Sequence, residues 1–330
     1  MNWSRLLPVG LFVVLIVFLG IGLTRDPSVI PTEMIDRELP AFELPELREE
    51  GSVLTERDLK GEAALVNVFG SWCVACLQEH PTLMELSRDG IVRIVGVNWR
   101  DKREDALRWL ARHGDPYDAI VFDKESDFAI EVGVTGAPET FVVDATGRIR
   151  YKQIGPITPE VWKDTIRPVL DAIALEKPVE PIFDPEQVVS SPTVTEPVTS
   201  LLSPDQVAAR TDEVAKTLRC VVCQNQSIYD SNAPLAMDMR RLVRKRVAAG
   251  DSDDEVRTYL QDRYGDYVLM SPPLQLSTFL LWAGPALLLL LAGLWVLLRL
   301  RAVQSAEPET LSAEDRARVM AALASKDPHA

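Results

Sequence analysis

The stretch SWCVACLQEH, residues 71–80, contains a C-x-x-C pair on which the interpretation of the first half of the chain depends. It follows ALVNVFG (64–70), a short apolar run of residues that favour β-strands, and the residues after it favour a helix. A thiol at a helix N-terminus faces the positive end of the helix dipole and unpaired N–H groups, which lower its pKa. The pattern therefore favours a redox dithiol, with Cys73 as the exposed nucleophile and Cys76, one turn inside, as the resolving thiol.

Two other roles are compatible with a C-x-x-C pair. A structural disulfide that closes so short a loop would restrict the unfolded chain very little. A zinc site would need four ligands, and the other two cysteines, Cys220 and Cys223, lie far outside the spacing of zinc-binding motifs. Neither role explains why the pair stands between a strand and a helix.

The composition is that of a folded protein with room for about two domains: 330 residues, 47% apolar and 25% charged. The net charge of -14 argues against nucleic acid as a partner, because phosphate binding needs a basic surface. None of the histidines has the spacing of a ligand set, and His80 and His113 are expected on helix surfaces. We predict neither a bound metal nor a permanently bound haem.

Two apolar runs predict membrane helices. The first, 6–23, has 18 residues without a charge, close to the roughly 20 that span a bilayer, and the second, 277–298, ends at Arg299 and Arg301. A cleavable signal peptide is the alternative for the first run. The positive-inside rule places both termini in the cytoplasm and the long loop in the periplasm, an oxidising space. We therefore expect two spans in a bacterial inner membrane.

Strand-like and helix-like segments alternate from Glu38 to Ala174, which predicts an α/β layer around a mainly buried sheet. Beyond a Pro-rich segment the pattern becomes helical, and three short helices between Pro204 and Leu269 predict a small bundle. The predicted strands are 64–70, 92–99, 119–123, 140–144 and 148–154, with a hairpin turn at Ala145–Gly147; predicted helices follow Cys73 and cover 104–113 and 159–174.

Further residues connect the first dithiol to a known fold. A strand, then W-C-x-x-C with Trp72, then a helix with Pro81, resembles the thioredoxin fold, and GVTGAPETFVVD (133–144) resembles the loop of that superfamily that faces the dithiol. The resemblance implies that Pro138 follows a cis peptide bond and that Ala137–Pro138 offers its backbone to an incoming Cys-containing segment. An ordinary turn before a strand is the alternative for Pro138.

Finer features resemble the CcmG/DsbE group. They are GAPET, VGVNWRD (95–101) and the CLQEHP run. The resemblance implies a membrane-anchored periplasmic thiol:disulfide oxidoreductase of cytochrome c maturation without a permanently bound cofactor. It places Glu139 at an acidic position beside the site, with a solvated turn carboxylate as the alternative. Val74-Ala75 lacks the proline often found between the cysteines of this group.

The second pair lies in LRCVVCQNQSIYDSNAP (218–234), followed by the basic run 240–246 and RYGDYVLMSPPL. This arrangement resembles the CcmH family of cytochrome c maturation, from about Leu201 to Leu298. The resemblance implies a three-helix periplasmic domain whose dithiol, Cys220 and Cys223, handles the C-x-x-C-H motif of apocytochrome c alongside a CcmF-type haem ligase. A structural disulfide is the alternative for the pair. The basic run could bind haem propionates or an acidic partner, with a solvated helix face as the alternative.

The two resemblances together predict a natural fusion. The expected regions are an anchor at 1–24, a thioredoxin-like α/β domain at 25–174, a linker at 175–203, an all-α three-helix domain at 204–274, a transmembrane helix at 277–298 and a cytoplasmic tail at 299–330. We expect a CcdA/DsbD-type membrane thiol reductant to reduce Cys73–Cys76, which keeps apocytochrome c thiols reduced directly or through Cys220/Cys223. A general membrane-tethered thiol oxidase or isomerase, and a non-redox scaffold that holds apocytochrome for the ligase, are the alternatives.

Overall fold

A five-stranded mixed sheet forms the centre of the first half of the chain in the computed structural model. Its strands run in the order β5-β4-β3-β6-β7; β3, β4 and β5 are parallel, β6 is antiparallel to β3, and β7 is antiparallel to β6. The predicted hairpin between the last two strands is thereby confirmed. The bounds are β3 Ala64–Phe69, β4 Arg93–Trp99, β5 Ala119–Asp123, β6 Glu139–Val143 and β7 Ile149–Ile154, and a two-stranded ribbon, β1 Glu43–Pro45 with β2 Val53–Thr55, precedes them.

The structure describes residues 12–13, 15–21, 23, 33–175, 202–273, 275, 278–304 and 312–324. Nearly all of the predicted linker, 175–203, lies outside these residues, and so does part of the first predicted membrane span, 6–23. The chain divides into two units, Met1–Ser271 and Pro272–Ala330. Both predicted domains, the α/β domain and the three-helix domain, lie in the first unit.

Helices cover the sheet where the parallel strands require crossovers. Helix α1 leads from β3 to β4 and α2 from β4 to β5, which is the connection that neighbouring parallel strands need. The helices of this half are α1 Val74–Arg88, α2 Arg103–His113, α3 Asp127–Glu131, α4 Pro159–Val161 and α5 Arg167–Leu175, with a π-helical turn Trp162–Ile166 between the last two. The α/β architecture expected from the alternating pattern is confirmed.

All six residues of β3 are buried, as expected for the central strand of a sheet covered on both faces. Leu65 and Phe69 point to one face and pack in a cluster with Cys73, Cys76 and residues of α1. Val66 and Val68 point to the other face, because side chains alternate along a strand. The dithiol therefore belongs to the hydrophobic cluster on one face of the sheet.

The three-helix domain consists of α6 Pro204–Lys216, α7 Pro234–Ala249 and α8 Asp253–Tyr264. Ser203 and Ser252 are N-caps with complete capping boxes, and Gly250, at φ 100°, ends α7 in the left-handed conformation that glycine adopts without strain. The three helices agree with the small bundle that the sequence predicts between Pro204 and Leu269. The buried residues of the bundle join those on the Val66 face of the sheet in one continuous cluster.

The second unit contains α9 Phe279–Gln304 and α10 Ala313–Ala324. Among the described residues, Leu281–Leu298 is the one helical window long and apolar enough to cross a membrane by length and composition. It coincides with the second predicted span. The first predicted span, part of which the structure does not describe, stays a prediction.

Candidate redox site

Cys73 is the N-cap residue of α1, and it forms a disulfide with Cys76 across a Cα–Cα distance of 5.3 Å. The backbone N–H of Cys76 donates to Cys73 Sγ at 3.0 Å, so one of the unpaired donors at the start of the helix points at this sulfur. Cys73 is only 5% exposed and Cys76 2%. The expectation that Cys73 is exposed is therefore wrong. Cys73 lies at the outer end of the helix, but neighbouring residues cover most of its side chain.

The turn before Cys73 is fixed by a close approach of Trp72 to Gly70. A Cβ added at Gly70 would lie 2.5 Å from Trp72 Nε1, so only glycine allows the indole to fold back over the turn. The indole N–H donates to the carbonyl of Trp99 at 3.2 Å, and the two indole rings meet edge to face at 5.9 Å. Trp72 stays 50% exposed and offers an apolar surface next to Cys73, and its supporting role stays a prediction.

Asp101 holds the same turn from the end of β4. Its carboxylate accepts hydrogen bonds from the backbone N–H of Ser71 at 2.6 Å and from the Ser71 hydroxyl at 2.8 Å. It also accepts from the side chain of Asn98 and the backbone N–H of Lys102. The VGVNWRD segment thus contributes to the site by anchoring the residue two positions before Cys73.

The Ala137–Pro138 peptide bond is cis, as predicted. β6 pairs antiparallel with β3 so that Glu139 faces Val68, and the start of β6 therefore lies at the edge of the sheet from which β3 leads to Cys73. Ala137 packs against the cluster that contains both cysteines. The predicted substrate-facing loop and the dithiol are thus at the same edge.

Glu139 is buried, so the alternative of a solvated turn carboxylate is wrong. Its Oε2 lies 2.9 Å from Nζ of Lys152, and both side chains are almost completely covered. Its Oε1 accepts from the hydroxyl and backbone N–H of Thr135 and from the N–H of Gly136. Lys152 also donates to the Gly133 carbonyl at 2.8 Å. The buried ion pair holds the segment that leads to Pro138 in place.

Glu79 is a site residue that the sequence interpretation missed. It lies on α1 three residues after Cys76, on the same helix face, and is 1% exposed. Its carboxylate accepts from the Asn67 side chain at 2.8 Å and from the backbone N–H of Ile157 at 2.9 Å. Burial raises its pKa to about 7. The sequence does show an acid three residues after Cys76, a spacing that places both on one helix face. Nothing in the sequence indicates that this acid is buried.

His80 lies beside Glu79 on α1 and is also buried, contrary to the expected surface position. Its ring meets Trp109 edge to face at 4.6 Å, and its Nε2 is 3.1 Å from the Gly114 carbonyl. Burial lowers the pKa of His80. In the part of the chain that the structure describes, no group of three or more His, Cys, Asp or Glu side chains is arranged to hold a metal ion.

The second pair, Cys220 and Cys223, also forms a disulfide with a Cα–Cα distance of 5.3 Å. It lies in the loop between α6 and α7 rather than within a helix, because α6 already ends at Lys216. Cys220 is completely buried, whereas Cys223 is half-buried, and its Sγ is 3.0 Å from the hydroxyl of Ser231. Cys223 is therefore the more exposed residue of this pair.

The basic run 240–246 on α7 is not simply a solvated helix face. Arg240 donates to the carbonyls of Ile228 and Ser231 and so ties the loop of the second dithiol to α7. Arg246 lies 3.6 Å above the ring of Tyr259 on α8. The solvated-face alternative is wrong for these arginines, which act within the fold.

The fold and the first site together define a class. A sheet of this topology, with a disulfide at the N-terminus of the helix after its central strand and a cis-proline at the same edge, belongs to a thioredoxin-like thiol:disulfide oxidoreductase. Comparison with known proteins agrees with this class. The Redoxin family model matches residues 35–170, and the CcmH model, described as cytochrome C biogenesis protein, matches residues 187–323.

Relatives named thiol:disulfide interchange protein DsbE match the first half of the chain. The protein from Allochromatium vinosum is 46% identical over 165 residues, which cover 50% of this chain and 91% of the relative. The protein from Pseudomonas aeruginosa is 41% identical over 173 residues, 52% of this chain and 95% of its own. A crystal structure of a DsbF homologue from Corynebacterium diphtheriae matches 45% of this chain and 96% of its own at 22% identity and a TM-score of 0.37.

The chain belongs to the DsbE family through its first half, and it fuses that thioredoxin-like domain to a CcmH-family domain. It is thus a thiol:disulfide oxidoreductase with two cysteine pairs at disulfide distance. The family resemblance inferred from GAPET and from the LRCVVCQNQS string is confirmed.

We predict that replacing Glu79 with Gln removes a pH dependence of folding stability. Because the folded-state pKa is raised from 4.5 to about 7, the neutral acid stabilises the fold below pH 4.5, and this contribution is lost as the pH rises through 7. Relative to wild type, the Glu79→Gln variant should gain stability between pH 4.5 and pH 8, by about 3 kcal/mol at most. Urea unfolding of the oxidised chain in detergent at both pH values measures this, with the exposed Glu85→Gln as the matched control on α1. Equal shifts for both variants would contradict the assignment.

We also predict that Lys152→Ala destabilises the chain by about 3–5 kcal/mol, because it leaves the Glu139 carboxylate buried without its partner. Urea unfolding in detergent measures the loss, and Lys163→Ala, at an exposed position, is the control. The double variant Glu139→Gln/Lys152→Met should recover part of the loss, since it buries no charge. A loss below about 1 kcal/mol for Lys152→Ala would contradict a structural role for the pair.

Proposed function

We propose that the chain is a membrane-anchored periplasmic thiol:disulfide oxidoreductase of cytochrome c maturation. It keeps the C-x-x-C-H thiols of apocytochrome c reduced and passes them to the haem ligation complex. The observation that carries the proposal is the presence, in one compact unit, of a DsbE-type dithiol and the dithiol of a CcmH-family domain. Haem attachment requires free apocytochrome thiols, whereas the periplasm oxidises them.

The exchange step follows from the arrangement of the first dithiol. In the reduced chain, the Cys73 thiolate attacks one sulfur of a substrate disulfide, which forms a mixed disulfide and releases the other substrate sulfur as a thiolate. The Cys76 thiolate then attacks Cys73 Sγ, forms the intramolecular disulfide and releases the second substrate thiolate. Two electrons pass to the substrate in total, and the two substrate thiolates take up protons from the solvent. A CcdA/DsbD-type membrane dithiol returns two electrons to Cys73–Cys76.

Glu79 supports the second half of this exchange. Cys76 must lose its proton before it attacks, and Glu79 lies one turn further along the same face of α1. With its pKa raised to about 7 by burial, the carboxylate can take up a proton near neutral pH and return it when the dithiol is reduced again. The hydrogen bonds from Asn67 and Ile157 fix its orientation for this purpose.

The second dithiol is proposed to receive the apocytochrome. Cys223 is the more exposed residue of the pair, and exposed apolar side chains, Val222 and Tyr229, lie on the same loop. A mixed disulfide between Cys223 and the apocytochrome would be the substrate of the Cys73 thiolate. Attack by Cys73 on Cys223 Sγ would release the apocytochrome thiolate, and Cys76 would then free Cys223. A CcmF-type haem ligase would receive the reduced apocytochrome.

The proposed location rests on the apolar helices. α9 contains the apolar window Leu281–Leu298 and carries Arg299 and Arg301 beyond it, which favours a cytoplasmic end by the positive-inside rule. A second span at 6–23 would place both termini in the cytoplasm and both dithiols in the periplasm of a bacterial inner membrane. Attachment at one membrane keeps the two dithiols at high effective concentration.

We predict that the Cys76→Ser variant accumulates a mixed disulfide through Cys73 when it meets an oxidised C-x-x-C-H peptide, because the resolving thiol is missing. The full chain in detergent, carrying Cys220→Ser/Cys223→Ser, is reduced, mixed with the peptide and acid-quenched, and mass spectrometry of the digest locates the adduct. Cys73→Ser in the same background is the matched control and should form little adduct. An adduct at Cys76 in that control, with Cys73 unreactive in the Cys76→Ser variant, would reverse the two roles.

A second prediction concerns cells. Replacing the gene by a Cys73→Ser/Cys76→Ser version should abolish covalent haem attachment to c-type cytochromes, and an added thiol reductant should restore it. Haem-stained gels of membrane fractions measure the attachment. If the added thiol reductant restores haem attachment, the activity that the variant has lost is the reduction of thiols. If the variant supports normal haem attachment, the chain serves as a scaffold without redox turnover.

A further inference from the structure

The helical domain lies against one face of the thioredoxin-like domain, and one short segment of that face makes several of the contacts. This docking segment, Glu125–Val134, includes α3 and the loop after it. Its acidic side chains face basic ones of the bundle: Arg241 is 2.7 Å from Glu125, Lys245 is 3.7 Å from Asp127, and Arg263 is 2.5 Å from Glu131. The Arg263–Glu131 pair is the most protected of the three, and the hydroxyl of Tyr259 also donates to Glu131. The signs of charge are complementary across the whole contact.

A buried chain of hydrogen bonds crosses the same contact. The indole N–H of Trp99 donates to the Ser126 hydroxyl at 2.8 Å, and that hydroxyl donates to the Asp238 carboxylate of α7 at 2.7 Å. Ser126 is completely buried, and Arg100 lies 3.3 Å from the same Asp238 oxygen. A largely buried carboxylate on the bundle is thus satisfied in part by groups of the other domain. Separating the domains would remove these partners, so the contact has one preferred geometry.

The end of α8 lies against the segment that leads to the cis-proline. Tyr264 is almost completely buried, and its hydroxyl donates to the Val134 carbonyl at 3.3 Å. Gly133 has φ +71°, and a Cβ added there would lie 2.8 Å from the Arg263 carbonyl oxygen. The same Gly133 carbonyl accepts from Lys152, which pairs with Glu139. The bundle therefore contacts and supports the residues that hold Pro138 in place.

These contacts connect the bundle to both segments that lie beside Cys73 in space, the turn at Trp72 and the loop that ends at Pro138. On one side, Asp238 of the bundle accepts from Ser126, which accepts from the indole of Trp99. The carbonyl of Trp99 in turn accepts from Trp72, the residue next to Cys73. On the other side, Tyr264 holds the start of the loop that ends at Pro138. The contact does not block the site, since Trp72 and Val74 stay exposed at 50% and 78%.

We propose that the helical domain is a built-in positioning partner of the first dithiol. Its docking on Glu125–Val134, through Asp238, Arg263 and Tyr264, fixes the Trp72 turn and the cis-proline loop and so sets the reactivity of Cys73. This effect is independent of Cys220 and Cys223. This positioning role rests on the proposed function in one respect, the assignment of Cys73 as the nucleophile. Both domains belong to one chain, so the occupant of the docking segment is the helical domain of the same chain.

The test uses a charge-reversal cycle in the full chain in detergent, with Cys220→Ser/Cys223→Ser so that Cys73–Cys76 is the only dithiol. Glu131→Arg and Arg263→Glu each place like charges against each other, and the double variant restores opposite charges. Tyr264→Phe removes only the hydroxyl that contacts Val134. Arg167→Glu breaks an exposed pair with Asp171 inside the thioredoxin-like domain and is the matched control.

Two readouts are needed: hydrogen-exchange protection of the backbone amides of 126–134, and the pH profile of the rate at which reduced Cys73 reacts with iodoacetamide. Each single reversal should lower the protection and change the Cys73 rate at pH 7 by about fivefold or more, with a shifted pH midpoint. The double variant should return toward the parent, Tyr264→Phe should change the rate in the same direction, and Arg167→Glu should change neither readout.

Several results would overturn the proposal. Reversals that lower protection but leave the Cys73 rate and pH profile unchanged would show docking without coupling. Reversals that leave protection unchanged would show that the segment is no docking surface. Protection that rises with protein concentration would identify a second copy as the partner instead. A parent chain with unreactive Cys73 would refute the proposed function itself, and the inference with it, so the two failures are distinguishable.

Discussion

The hydrogen bond from the Cys76 backbone N–H to Cys73 Sγ is the contact on which the site depends. It exists because the chain leaves the central strand, turns at Gly70 and starts α1 at Cys73, so that the sulfur occupies the position of an N-cap oxygen. A thiolate formed there is stabilised by unpaired N–H groups and by the helix dipole. The surrounding residues serve this geometry: Asp101 fixes the turn, and Trp72 covers it.

Much of this arrangement could be predicted from the sequence because it is local. Strand and helix periodicity and the position of the first dithiol between a strand and a helix are properties of short segments, and the structure confirms them. The cis bond before Pro138, which the resemblance of a short motif implied, is also observed. The degree of burial could not be predicted in the same way. Cys73 is more covered than expected because whether a helix position is buried depends on elements distant in sequence.

The missed site residue Glu79 and the burial of Glu139 share this cause. Glu79 is held by Asn67 on β3 and by Ile157, and Glu139 is paired with Lys152 on the neighbouring strand. Charged residues are usually exposed, so sequence patterns favour solvent for them unless a partner is known. The contact between the domains is a more extreme case. Ser126 and Asp238 are 112 positions apart, and neither belongs to a motif.

The fusion brings together two dithiols with different surroundings. The first lies at a helix N-terminus with a buried acid nearby, and the second lies in a loop in which Cys223 is more exposed than Cys220. In the proposed function, the first dithiol carries out the exchange and the second receives the substrate, which would account for a repeated C-x-x-C spacing in two unlike folds. In the proposed coupling, the helical domain adds a structural role, since it contacts Ser126, which bonds to Trp99, and the carbonyl of Val134, in the segment that leads to Pro138.

The central claim is that the chain works as a reductant, and the thiol state of Cys73 and Cys76 in growing cells tests it most directly. Cells are acid-quenched, free thiols are alkylated, and mass spectrometry measures the alkylated fraction at each cysteine. If the chain works as a reductant, most of Cys73 and Cys76 will carry the alkyl label during synthesis of c-type cytochromes. Both cysteines fully in the disulfide form, in cells that make normal amounts of these cytochromes, would contradict it.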